Sequence, residues 1–241
     1  MAHPGARFSN TAELYDLVYH FKDYRGDAQR IAQMLVGHGL KGGAAVLEGA
    51  CGTGAYLQFL RGVRRFGYDL DPAMLKVARA RVPDATLWKA DLARPDIPEP
   101  MDAILLLFGA LGYVPPEALD ACIEAHAQAL APGGLMLVEP WVAPDAFQPN
   151  RPHMATYETP FLKIARQVIP RLEDGWCVLD FHFLVSRPDF PVEHLQTTDR
   201  LYLHDHDRLE AALGRHLQVQ RTQDGFMEDR VLFVERSLSG P

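Results

Sequence analysis

The sequence predicts an α/β fold: a doubly wound parallel sheet with an antiparallel β layer inserted before its last elements. Three observations carry the prediction. Short apolar runs alternate with helix-spaced segments as far as Trp141, a glycine turn follows the first of those runs, and beyond Trp141 strand-length runs succeed one another without helices between them.

The elements follow in chain order. Asn10 and Thr11 are candidate helix caps, and Ala28, Ile31, Ala32 and Leu35 recur at helical spacing until Gly37 and Gly39. A helical N-terminal segment, broken near His20 to Tyr24, therefore precedes the sheet. "AAVLEG" is the first buried strand and "GAYLQFL", after the glycines, the helix it feeds. "RRFGYDL" is the second strand; Asp71 and Pro72 then stand as N-cap and first residue of a helix carrying Met74, Leu75 and Ala78. "ATLWKAD" is the third strand and "MDAILLLF" the fourth, its unbroken apolar run suiting burial on both faces. Pro116 opens a helix whose Leu119, Cys122, Ile123, His126 and Leu130 share a face, and "APGG" turns into the fifth strand, "LMLVEPW".

After Pro144, Pro149 and Pro152, "FLKIARQVI", "WCVLDFHFLV" and "TTDRLYLH" read as successive antiparallel strands. "DHDRLEAALGRHL" restores a helix, and "LQVQRT" and "RVLFVER" close the chain as a hairpin. The predicted division is one unit from 1–145 with 206–241, and an antiparallel insertion over 146–205 that forms part of an acceptor site or a dimer surface.

Composition narrows the function. With 48% apolar and 23% charged residues in a chain of 241, a full core is expected and disorder is excluded. A net charge of −7 argues against a nucleic-acid partner, which needs clustered Lys and Arg. Cys51, Cys122 and Cys177 form neither a disulfide framework nor a zinc site, which suits a reducing compartment. The apolar run from Ala103 to Val114 falls short of the roughly 20 residues that span a bilayer, and no secretory leader is visible. These point to a cytoplasmic enzyme of small molecules with no membrane or metal, and leave both a monomer and a homodimer open.

The glycine stretch "VLEGACGTG" poses the cofactor question. No Lys-Ser or Lys-Thr follows, so it is not a triphosphate loop, and Ala55, Tyr56 and Leu57 break the dinucleotide fingerprint. Glu48 at the strand end opposes a pyrophosphate but tolerates S-adenosylmethionine (SAM), whose ammonium and sulfonium are cations. Asp69 stands about 20 residues past the turn, where an α/β sheet places the carboxylate for ribose hydroxyls. Asp91 is either an acceptor for the adenine amine or a turn residue.

Through "VLEGACGTG", "GYDLDPAML", "ADLA", "MDAILLLF" and "APGGLMLVEP" the sequence resembles the class I SAM-dependent methyltransferases, with Ala50 in place of the usual first glycine. "YDLVYHFKDY", "LFGALGYV", "GGLMLVEPW" and "RVLFV" extend the resemblance to the N-methyltransferases that dimethylate nucleotide-linked deoxyamino sugars, relatives of the glycine N-methyltransferases. The resemblance implies a seven-stranded Rossmann-like sheet with its last strand antiparallel. It implies a SAM site lined by Glu48, Ala50, Gly52, Gly54, Asp69, Leu70, Met74, Asp91, Leu92 and Phe108, with Tyr19, Tyr24 and Arg25 folding over the methionine end. Tyr113, which stands where these enzymes often have His, would face the acceptor with Trp141 and Arg230.

Methyl transfer requires a neutral nucleophile about 3 Å from the methyl carbon, so an amine must first lose a proton. The candidate bases are His182, Glu139 and the phenolates of Tyr19 or Tyr113. Several residues carry a plainer reading beside the functional one. Tyr19, Tyr24 and Trp141 could be packing residues, and Arg230 either meets the acceptor or pairs with Glu228, Asp229 or Glu235. His204 and His206 form either half a metal site or a polar turn, His126 reads as a buried core histidine, and Cys51 as a small residue that fits. The function expected is small-molecule methyl transfer to an amine of an amino sugar or amino-acid-like acceptor; the alternatives are a SAM-consuming cyclase or lyase and a non-catalytic SAM-binding protein.

Overall fold

The computed structural model describes residues 12–222, 225–227 and 230–237, so the Asn10 and Thr11 caps and the Glu228 and Asp229 pairings lie outside the described residues. The N-terminal segment forms α1 (Ala12–Val18) and α2 (Tyr24–Gly37), and Asp23 caps α2 by accepting the backbone N–H of Gly26 at 2.9 Å. The strands β1 (Ala45–Gly49), β2 (Arg64–Asp69), β3 (Thr86–Lys89), β4 (Met101–Leu106) and β5 (Leu130–Val138) are mutually parallel. The hairpin of β11 (Leu217–Thr222) and β12 (Leu232–Ser237) joins antiparallel to β5, giving the order β11-β12-β5-β4-β1-β2-β3.

Helices cover both faces, which is why β1, the second half of β5 and all of β4 but Asp102 are buried, with apolar residues at nearly every position. On one face Ile31 and Leu35 of α2 and Leu75 of α3 (Pro72–Arg81) pack on Val46, Ala103 and Leu105. On the other, Cys122 and Ile123 of α4 (Leu119–Gln128) and Leu209 and Leu213 of α5 (His206–Leu213) pack on Ile104, Met136 and Phe233. Asp71 caps α3 through Ala73 N–H at 2.8 Å, as its place before Pro72 predicts.

Three local expectations are corrected. "GAYLQFL" forms only a 3-10 turn at Leu57–Phe59, because the chain must turn at Gly62, φ +76°, to enter β2 at Arg64, and so short a segment cannot sustain an α-helix. Pro116–Ala118 is likewise a 3-10 turn ahead of α4. "APGG" is a bulge inside β5 rather than a turn before it: Leu130 pairs with Met101 and Leu135 with Ala103, so the intervening residues are extruded at Gly133, φ +73°. Leu130 is therefore buried from a strand rather than from the helix.

The second sheet comprises β6 (His153–Thr159), β7 (Leu162–Val168), β8 (Arg171–Glu173), β9 (Trp176–Ser186) and β10 (Glu193–Tyr202), in the order β10-β9-β7-β6 with β8 beside β9. β6 and β8 add two strands to the three that the sequence predicts, and both are too polar and exposed to stand out as apolar runs. Alternate residues of this sheet, among them Ile164, Phe181, Phe183, Val185 and Leu201, pack against Leu14 and Val18 of α1. Among the described residues no helix is long and apolar enough to cross a membrane.

Candidate active site

One cavity lies at the C-terminal ends of β1 to β4, the position where parallel α/β sheets take ligands. Its first half comes from the loops that follow those strands. Ala50, Gly52 and Gly54 alternate through the left-handed region with φ of +53°, +53° and +71°, coiling the loop tightly. Asp69 locks the coil: one carboxylate oxygen accepts the N–H of Gly52 and the other that of Asp71, each at 2.8 Å. Burial pushes the Asp69 carboxyl above its ordinary range, and these backbone hydrogen bonds oppose that rise. Asp91 closes its own turn by accepting the Ala93 N–H at 2.9 Å and also lines the cavity.

Ala50, Gly52, Asp69, Leu70, Met74, Asp91, Leu92 and Phe108 all line this half. Phe108, φ +54°, holds a conformation uncommon for a bulky residue, and its N–H is fixed by Glu139 at 3.0 Å. The second half is aromatic. Tyr15 and Tyr19 enter from α1 and the turn after it, Tyr113 and Trp141 from the loops after β4 and β5, and Leu179, Phe181, Asp199 and Leu201 from the inner face of the second sheet. Tyr113 donates its hydroxyl to Asp199 at 2.8 Å. His204 reaches the carbonyls of Leu111 and Val114 at 3.1 and 3.0 Å, and His206 that of Trp141 at 2.9 Å, so both imidazoles brace the walls beside Tyr113 and Trp141.

Other expected site residues lie elsewhere. Gly54 faces α3, where an added Cβ would meet Ala78 and Val82 at 3.4 Å. Tyr24 and Arg25 line an adjoining cleft with Gln58 and Phe59, the Arg25 guanidinium 4.8 Å from the Phe59 ring; Tyr19 borders both spaces. Arg230 sits behind the cavity wall, bonded to the Pro140 carbonyl at 3.1 Å and stacked 4.1 Å from the Trp141 ring, rather than paired with Glu235.

Three base candidates are corrected. His182 points to the exposed outer face of the second sheet, stacked on His194, because β9 alternates and Phe181 and Phe183 take the inward positions. Glu139, fully buried, accepts the N–H groups of Phe108, Phe226 and Met227 and so anchors backbone. Burial pushes the Tyr19 phenol up, against the lowering by Arg166, so it stays protonated.

Tyr15, Asp16 and Asp199 were missed by sequence reasoning. Asp16 ties α1 to the glycine loop: it accepts the Thr53 hydroxyl at 2.7 Å and pairs with Arg81, which itself bonds Thr53. The alternation of "LQTTDRL" in β10 was the available signal for Asp199, an acid in register with inward Leu195 and Leu201.

The residues present fit SAM. The cavity offers Asp69 and Asp91 at the ends of β2 and β3, apolar walls at Met74, Leu92 and Phe108, and no lysine, while Glu48, near the end of β1, is buried behind the glycine loop outside the cavity lining. Glu48 Oε2 is buried with no hydrogen-bond partner among the described residues, and burial, with Asp69 nearby, holds its carboxyl well above the usual range. A cation brought to that end of the loop would satisfy it.

Comparison with known proteins agrees. A family model described as a methyltransferase domain matches residues 46–134. The dTDP-3-amino-3,6-dideoxy-α-D-glucopyranose N,N-dimethyltransferase of Streptomyces fradiae is 33% identical over 88% of this chain and 85% of its own length. The dTDP-3-amino-3,4,6-trideoxy-α-D-glucopyranose N,N-dimethyltransferase of Streptomyces venezuelae is 31% identical over 92% of this chain and 96% of its own. Among solved structures, Streptomyces venezuelae DesVI superposes with a TM-score of 0.86 at 29% identity, covering 94% of this chain and 98% of that one. SAM-bound CalS10, an amino pentose methyltransferase from Micromonospora echinaspora, superposes with a TM-score of 0.80 at 25% identity, covering 93% and 96%. The chain thus belongs to the class I SAM-dependent methyltransferases, in the group that contains these N,N-dimethyltransferases, and is an enzyme that methylates a small-molecule amine.

Proposed function

We propose that the acceptor is an amino sugar carried on a nucleoside diphosphate, and that the enzyme transfers two methyl groups to its nitrogen in the cytoplasm. The observation that carries this reading is a single cavity with a cofactor half rich in carboxylates and an aromatic half flanked by cations. The names of the Streptomyces relatives specify such sugars. The Arg166 guanidinium, over Tyr19 and Phe181, and that of Arg230, over Trp141, supply positive charge suited to an anionic acceptor. Buried free thiols at Cys51, Cys122 and Cys177 suit a reducing compartment.

When bound, SAM supplies a methyl group on a cationic sulfur. The chain's own part is alignment and exclusion of water. The glycine coil, Asp69 and Asp91 hold the nucleoside end, while Tyr15, Tyr19, Phe108 and Trp141 wall the reacting end against solvent. The aromatic faces there also favour a sulfonium and the methylated ammonium product.

Purified protein incubated with SAM and dTDP-3-amino-3,6-dideoxy-α-D-glucopyranose, followed by mass spectrometry, tests the proposal. The expected products are the singly and then the doubly methylated sugar nucleotide. Methylation of simple amines or amino acids with none of the sugar nucleotide consumed would overturn it.

A further inference from the structure

We infer that Lys22 is a positioning residue through which an occupied cofactor half firms the wall of the aromatic half, so that the place of the acceptor, whichever amine it is, is set once SAM is bound.

Lys22 stands at the turn between α1 and α2 with its side chain only 1% exposed, and its ammonium pairs with Asp27 at 2.8 Å. Nζ also lies 5.5, 5.3 and 5.2 Å from the ring centres of Tyr24, Tyr56 and Phe108, and it donates to the Phe226 carbonyl at 3.2 Å. A buried ion pair generally adds little stability over apolar packing of the same volume, so this one is better accounted for by the geometry it fixes.

On one side Lys22 meets the cofactor half. Phe108 lines the cavity, and so does Tyr19, whose carbonyl accepts the Lys22 backbone N–H at 2.9 Å and whose ring meets that of Phe108 edge-on at 5.4 Å. A ligand filling this half restrains both rings, and with them the backbone and the head group of Lys22.

On the other side Lys22 meets a turn that does not line the cavity. Glu139 accepts the N–H groups of Phe226 and Met227 on one oxygen, at 2.6 and 2.9 Å, and that of Phe108 on the other, at 3.0 Å. Phe226 is thus held twice by groups that also hold Phe108, at its carbonyl by Lys22 and at its N–H by Glu139. The turn beyond has no slack. Gly225 N–H donates to the Arg230 carbonyl at 3.0 Å and Arg230 N–H to the Met227 carbonyl at 3.2 Å, and a Cβ added to Gly225 would meet the Arg230 Cβ at 2.6 Å. Arg230 in turn bonds the Pro140 carbonyl and stacks on Trp141, a wall of the aromatic half. Restraining Phe108 therefore restrains the backing of Trp141, and by reciprocity a bound acceptor tightens the hold on the cofactor.

Amide hydrogen exchange of the whole chain, read by mass spectrometry with and without saturating S-adenosylhomocysteine, tests this. In the wild type the peptide carrying Phe226 and Met227 should exchange at least about fivefold more slowly with the ligand bound, although neither residue lines the cavity. Lys22→Met, which keeps the apolar stem, should leave that peptide within about twofold of its rate in the free protein. Undiminished protection of the peptide carrying Gly52 and Gly54 shows that the variant is folded and binds the ligand. If Lys22→Met does not fold, Lys22→Gln, shorter and uncharged, takes its place with the same expectation. Absence of the Phe226 response in wild type, or a response as large in the variant, overturns the inference. Calorimetry adds the acceptor: S-adenosylhomocysteine should tighten binding of dTDP-3-amino-3,6-dideoxy-α-D-glucopyranose at least about fivefold in wild type and less than about twofold in the variant. If this sugar nucleotide binds neither form while the exchange response still depends on Lys22, the inference stands and the nucleotide-linked acceptor falls.

Discussion

Tyr68 and His126, from β2 and α4, share a hydrogen bond of 2.6 Å in the interior beneath the cofactor half of the cavity. His126 Nδ1 lies 2.7 Å from the Cys122 carbonyl, which can only accept, so Nδ1 carries the proton and Nε2 accepts from the Tyr68 hydroxyl. Burial lowers the imidazole's pKa to about 4, against a smaller raising effect from the Cys122 carbonyl. The unfolded chain takes up that proton near pH 6.5. Between these values the unfolded state binds more protons, so stability is full above about 6.5 and falls as pH drops toward 4. Denaturant titrations across this range should show a shallower pH slope in His126→Asn than in wild type. Tyr68→Phe should cost about 1–3 kcal/mol by leaving Nε2 unsatisfied.

Glu235 gives the opposite dependence. It is fully buried in β12, neither carboxylate oxygen has a partner among the described residues, and burial holds the group well above the usual carboxylate range. The folded state keeps a proton that the unfolded chain releases near pH 4.3, so this residue subtracts stability as pH rises above that value. Glu235→Gln should raise Tm, with a larger gain at pH 8 than at pH 5. A gain independent of pH would show that Glu235 is not protonated in the native state.

Ala50 takes φ +53° where an L side chain is strained. Replacing it with glycine relieves roughly 1–2 kcal/mol of that strain and adds up to about 1 kcal/mol of unfolded-state entropy. The expected net is a stabilisation of between zero and about 2 kcal/mol, read from urea midpoints, with methyl transfer retained.

Asp69 and Asp91 should separate on substitution. Asp69→Asn leaves one of the two N–H groups of Gly52 and Asp71 without an acceptor, so affinity for S-adenosylhomocysteine should fall at least about tenfold. Asp91→Asn keeps an oxygen for Ala93 N–H and loses only charge toward the ligand, for which a loss of about three- to tenfold is expected. Unchanged binding in Asp91→Asn would assign that residue to its turn alone.

The parallel sheet was legible because its signals are local: an apolar run, a glycine turn, and Asp71 with Pro72 at a helix start. The errors arose where neighbours overrule local pattern, as at Leu57–Phe59, cut short by the return to β2, and at Leu130, drawn into β5 by pairing with Met101. In the site, the acids could be read because each sits at or within two residues of the end of its strand. His182 and Asp199 could not be separated by residue type, since both are titratable residues of antiparallel strands and only the alternation of each strand, inward at Phe181 and Phe183 of β9 and at Leu201 of β10, tells which face each takes. Asp16 was missed for a related reason: its partners Thr53 and Arg81 are remote in sequence.

The two-residue alternation of β9 and β10 has an evolutionary consequence. Phe181 and Asp199 reach the aromatic half of the cavity, while His182 and Thr198, one residue away, reach the surface. The walls of the cofactor half are encoded almost entirely before residue 110. With the acceptor seated in the aromatic half, as proposed, exchanging alternate residues of two strands would reshape its pocket and leave the walls of the other half untouched.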